Sequence, residues 1–143
     1  MGDHRLSTDN GMTCLHIATL NNSKDVTKYI LKNCKKSLLF RQIREGIYKG
    51  ATCLHFCVLN SGIDLIIDIF DLLNNADRKK LIQTQATGSF MHDQIGSSGT
   101  LLGLAAISGF WNIFQILVKN GAKIDTQDYK NGDTIFHSLV RYS

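Results

Sequence analysis

Cys53, His55 and Cys57 stand within five residues of each other and are the side chains most capable of chemistry in this sequence. Two thiols and an imidazole can bind zinc, and a thiol beside an imidazole can act as a nucleophile. The spacing argues against both. On one short helix the middle residue of Cys-x-His-x-Cys points away from the outer two. Cys14 and His16 repeat the same Cys-x-His spacing, so the pair belongs to a recurring structural pattern, with cysteine in the core and histidine as a tie. Asp64, Asp68 and Asp71 fall at helical spacing among Ile66, Ile67, Ile69 and Phe70. They read as the solvent face of an amphipathic helix, not as paired catalytic carboxylates. Gly96-Ser97-Ser98-Gly99-Thr100 is glycine-rich but has no phosphate-binding lysine. No nucleophile, base and oxyanion site assembles. The expectation is therefore no enzyme, with no catalytic, metal or cofactor-binding residues and no cofactor.

The elements that position these residues come from an ordinary chain. It has 143 residues, 43% hydrophobic and 20% charged, with no proline and a net charge of +4. So mild a basic bias does not imply nucleic acid. Positive charge gathers at Lys32, Lys35, Lys36, Arg41 and Arg44, and again at Arg78, Lys79 and Lys80. Solvated loop and helix-end charge is the simpler reading, and a docking patch for anionic partners or lipid headgroups is the sharper one. Residues 1–12 are polar and carry no signal peptide, so Cys14, Cys34, Cys53 and Cys57 are expected as free thiols in a reducing cytosol. Thr100 to Val118 lacks charge, but Gly103, Ser108, Gly109, Asn112 and Gln115 interrupt it. It reads as two short helices around a turn, not as a membrane span.

Repetition carries the main signal. Thr-x-Leu-His occurs at Thr13–His16 and Thr52–His55, and recurs with phenylalanine at Thr134-Ile135-Phe136-His137. A degenerate copy runs from Thr100 to Ala106. The leading threonines at 13, 52, 100 and 134 are separated by 39, 48 and 34 residues. Each copy predicts a helix, a turn and a second helix. The expected helices are Thr13 to about Leu20 and Lys24 to about Asn33, then Thr52–Leu59 and Ile63–Leu73, then Leu101–Ile107 and Trp111–Lys119. The extra residues fall in the connectors, roughly 34–51, 74–99 and 120–133. Threonine is suited to capping the first helix, leucine to the core between repeats, and histidine to bonding backbone in the adjacent connector. Asn10-Gly11, Lys49-Gly50 and Asn131-Gly132 supply tight turns before three copies, and Gly121 a left-handed helix end.

This pattern resembles ankyrin repeats, whose period is about 33 residues. It implies an all-α solenoid of helix-turn-helix units with long finger loops. One domain is expected over 1–143, with repeats at about 8–47, 48–95 and 96–128 and an incomplete one at 129–143. More narrowly, Asn10–Leu15, Tyr48–His55, Gly88-Ser89-Phe90 before Leu101–Ala106, and Asn131–Val140 resemble the cytosolic ankyrin domain of TRPV (vanilloid-type transient receptor potential) channels. The resemblance runs from about Asp9 to Arg141. It implies a cytosolic assembly and regulatory module of a tetrameric plasma-membrane cation channel, with neighbouring subunits or calmodulin as partners and no nucleic acid. The family's nucleotide pattern is largely missing. Its lysine positions hold Met12 and Ile17, its glutamine position Ala51 and an acidic position Leu59, while Tyr48 is kept. Weak or no ATP binding is the expectation. The rival is a free-standing cytoplasmic ankyrin adaptor or inhibitor of signalling, host or viral. Ending after Ile135, Phe136, Leu139 and Val140 without a partner helix, the chain reads as part of something longer. Exposed finger residues are the candidate partner contacts: Tyr48 and Lys49 in one finger, Phe90, Met91 and His92 in another, with Phe90 and Met91 equally able to cover the finger base. Thr13, His16, Thr52, His55, Thr134 and His137 are the candidate structural motif residues.

Overall fold

The computed structural model describes residues 11–92 and 100–122. Within them the chain is all-helical, apart from its turns and connectors. Helices α1 (Cys14–Leu20) and α2 (Lys24–Asn33) form the first pair, and a 3-10 helix (Lys36–Phe40) follows. The second pair is α3 (Cys53–Leu59) and α4 (Ile63–Asp71), with α5 (Asn75–Ile82) and the short α6 (Ser89–His92) after it. The third pair is α7 (Leu101–Ser108) and α8 (Trp111–Lys119).

The helix starts follow from the repeated threonine. The Thr13 hydroxyl accepts from the His16 amide at 3.2 Å, and the Thr100 hydroxyl accepts from the Gly103 amide at 3.0 Å. Each relieves an N–H that the first helical turn leaves without a carbonyl. The turns between paired helices also repeat. Asn22, Ser61 and Gly109 occupy the same place with φ of 56°, 55° and 76°. Only glycine adopts that left-handed backbone without strain, and asparagine tolerates it better than serine.

Packing runs in two layers. The inner helices α1, α3 and α7 stack on one another in order, and α2 packs beside α4 on the outside. Leu15, Leu54 and Leu102, the third residue of each copy, are 0–2% exposed, and Phe56 and Leu104 are fully buried between the layers. The Asn60 side-chain amide donates to the carbonyls of Thr19 and Leu20 at 2.8 and 3.1 Å. That bond fastens the end of α1 to the turn after α3.

The connectors are not plain loops. The stretch expected as connector 74–99 contains α5, capped by Asn74, whose side chain accepts from the Asp77 amide at 2.8 Å. The Arg78 guanidinium donates to the Phe70 carbonyl at 2.7 Å and reaches the Asn120 side chain at 3.5 Å, holding α5 against the ends of α4 and α8. Lys80 lies over the Phe40 ring, 5.2 Å from its centre. The charge-free stretch from Thr100 to Val118 is broken by Gly109 into α7 and α8. No helix among the described residues is long and apolar enough to cross a membrane.

Candidate functional site

The first finger is a hairpin built on two close backbone bonds. The Ile43 amide donates to the Ala51 carbonyl at 3.1 Å, and the Gly50 amide donates back to Ile43 at 2.8 Å. Gln42 reinforces the pair by donating its side-chain amide to the Gly50 carbonyl at 3.0 Å. The second connector is laid against this hairpin. The amides of Thr87 and Gly88 both donate to the Lys49 carbonyl at 2.9 Å, and the Phe90 amide donates to the Ile47 carbonyl at 3.0 Å. Two glycines permit the approach. Gly50 has φ of +85°, and a Cβ there would touch Ala86 backbone at 3.0 Å; a Cβ on Gly88 would run into the Ile47 carbonyl.

Behind the finger lies a cluster of rings from separate segments. Tyr48 meets Phe56 edge-on with centroids 5.2 Å apart and leans on Phe90 at 5.3 Å. Phe90 also contacts Phe56 and His55. Such edge and tilted contacts hold the rings in defined places. Tyr48 and Phe90 are half-buried, so part of each ring packs on the finger base and part faces solvent. Lys49 is exposed, with its backbone occupied by the second connector. Met91 and His92 continue α6, and their side chains lie outside the described residues, as do Thr134, His137 and the glycine-rich run Gly96–Gly99.

The motif histidines differ. His16 accepts the Thr13 amide on Nδ1 at 2.9 Å, so Nε2 carries the proton and donates to the Arg41 carbonyl, also at 2.9 Å. It ties α1 to the first finger. Burial lowers its pKa, outweighing the backbone bond to Arg41 that acts the other way. His55 accepts the Thr52 amide on Nδ1 at 3.1 Å, but its buried Nε2 has no hydrogen-bond partner among the described residues. Burial, with a smaller contribution from His16, pushes its pKa down to about 3. Both imidazoles are neutral at physiological pH and are positioned as struts.

The cysteines fit the same picture. Cys53 and Cys57 are about 1% exposed, and burial raises both thiols, Cys57 to about 12. Neither supplies a thiolate for nucleophilic attack at neutral pH. No group of three or more metal-ligating side chains occurs among the described residues. Asp64 and Asp71 are exposed and Asp68 half-buried along α4. At the positions compared with the nucleotide pattern, Ile17 is 41% exposed and Ala51 fully buried.

Among the exposed apolar side chains are Ile47 and Trp111, neither of which is a candidate contact by sequence. Ile47 is 57% exposed at the finger tip, and Trp111 is 65% exposed at the start of α8, stacked on Phe114 at 5.9 Å. Ile47 had a signal, being one apolar residue in the polar run Arg44-Glu45-Gly46-Ile47. The Trp111 side chain had none, because its place in a helical apolar pattern reads equally as core. Comparison with known families matches residues 10–39 to the ankyrin repeat model. No curated protein matches the chain.

Proposed function

We propose that this chain, an all-α ankyrin-repeat solenoid, is a protein-interaction module that meets its partner along the finger edge. The observation that carries the reading is the locked finger pair. Ile47 and Lys49 project from a hairpin whose carbonyls are held by the next connector and whose base rests on the Tyr48–Phe56–Phe90 rings. An edge already rigid loses little conformational entropy on binding. An apolar residue rimmed by charge is the usual centre of a protein contact. The ankyrin repeat supports the interaction role, and such repeats are typically not enzymes. Substituting Ile47→Asp with Lys49→Glu tests the edge, with loss of partner binding and unchanged helix content expected.

The finer reading is a cytosolic assembly and regulatory segment of a TRPV-like cation channel. It rests on the resemblance of the irregular insertions and on Tyr48, and names neighbouring subunits or calmodulin as partners. Nucleotide binding is weak or absent in this reading, because Met12, Ile17 and Leu59 bring no charge and Ala51 has no exposed surface. Electrostatic recognition of phosphates needs cations in those places. The experiment is sequencing of the full transcript. A reading frame that continues into several hydrophobic spans supports the channel, and a stop codon soon after a polar capping repeat replaces it with the free-standing adaptor.

A further inference from the structure

The first helix pair carries a groove that the finger reading does not use. Between the end of α2 and the 3-10 helix the surface folds into a hollow of about 490 Å³. Its apolar lining comes from Cys14, Ile30 and Leu38, with Tyr29 along one wall. At its helical end the Asn33 side chain donates to the Tyr29 backbone carbonyl at 2.8 Å. The Tyr29 ring is 71% exposed, an unusual share for an aromatic side chain beside an apolar hollow. Lys35 and Arg41 line the same hollow and are exposed.

Charge defines the occupant. From residue 24 to residue 44 the chain has seven lysines and arginines and one acidic residue, Asp25. Among the described residues no carboxylate lines the hollow. We propose that this groove docks an acidic peptide segment of another protein, with one large apolar side chain seated against Ile30, Leu38 and Tyr29 and flanking carboxylates paired with Lys35 and Arg41. The volume lies in the range of pockets that bury small ligands and is ample for one or two side chains. Arg41 suits a carboxylate because its planar fork can donate two bonds at once. The apolar seat and the two cations share one hollow, an arrangement that suits one apolar side chain between neighbouring carboxylates and favours the peptide over a lipid surface. Neither Ile47 nor Lys49 lines the groove, so substitutions there test the finger edge separately.

The test uses the whole chain and a phage-displayed random heptapeptide library. Selected sequences are expected to combine a large aliphatic or aromatic residue with two or more carboxylates. Their affinity should fall about tenfold in the doubly substituted Lys35→Glu, Arg41→Glu protein and stay unchanged in Ile47→Asp. Added salt should weaken it, because the rim charges are solvent-facing. Amide shifts in the unsubstituted protein should map to residues 29–41, a readout that survives if the double substitution disturbs folding. Selected sequences without carboxylates, no enrichment at all, or shifts confined to residues 43–51 and 84–92 would each overturn the proposal. So would Lys35- and Arg41-dependent sedimentation with phosphatidylserine vesicles in a protein that selects no acidic peptide, which would assign the patch to a membrane.

Discussion

Lowering the pH should destabilise this protein through His55. The ring is fully buried, its Nε2 has no hydrogen-bond partner among the described residues, and its pKa in the folded chain is about 3. In the unfolded chain an imidazole titrates near 6.5. Between those values the unfolded chain takes up a proton that the folded chain refuses. Stability from this group is therefore complete above about pH 6.5 and is lost progressively as pH falls toward 3. Each pH unit in that window costs about 1.4 kcal/mol, so moving from pH 7 to pH 5 costs about 2 kcal/mol. For a chain of this size that is a fall in melting temperature of roughly 6 °C. His16, also lowered by burial, pulls in the same direction. Urea unfolding at pH 7 and pH 5 measures the effect, and His55→Asn isolates it, because an amide oxygen can still accept the Thr52 amide while the titrating ring is gone. The substituted protein should lose about 2 kcal/mol less between the two pH values. An equal loss in both proteins would show that His55 is either solvated or hydrogen-bonded in the folded state, and would refute the argument.

Three further outcomes follow from particular atoms. Among the described residues the buried Thr27 hydroxyl has no partner, at the repeat position where α4 has Ile66; Thr27→Val should raise unfolding stability by about 1 kcal/mol, measured in urea, and a loss would mean the hydroxyl is satisfied. Gly88→Ala should push the second connector off the first finger at a cost of about 1–3 kcal/mol, seen as faster amide exchange at Thr87, Gly88 and Phe90 while α3 stays protected; unchanged exchange would show the backbones do not meet there. Titration with ATP should give weak binding or none, and tight binding abolished by Tyr48→Ala would contradict the reading of Met12, Ile17 and Ala51.

The helix pairs were legible because each has a local cause. Threonine caps, the left-handed residue in each turn, and apolar positions three and four apart place α1 to α4, α7 and α8 within a residue or two of where the structure has them. Helix α5 was not legible by periodicity. Its apolar residues, Leu81 and Ile82, sit together at its end behind the charge run Arg78-Lys79-Lys80, so no stripe forms. What fixes it is tertiary, the Arg78 bonds to Phe70 and Asn120 and the ring under Lys80. Its one local signal was the capping asparagine, Asn74. The ring cluster at the candidate site was equally hidden, since Tyr48, Phe56 and Phe90 come from three segments joined only by folding. The unequal histidines show the limit of motif reasoning. His16 and His55 share residue type, cap and spacing, yet among the described residues His16 finds a carbonyl, at Arg41, and His55 finds none.

The central claim, that the finger edge is where this module meets a protein, is tested most directly by photo-crosslinking from that edge. A benzophenone amino acid placed at Ile47, and separately at Val26 on the outer face of α2, is irradiated in cells and the products identified by mass spectrometry. Both sites are more than half exposed, at 57% and 54%, so reach is equal. The account predicts a discrete protein adduct from position 47 that disappears with Lys49→Glu and is missing from position 26. An adduct from position 26 with none from position 47 would contradict it.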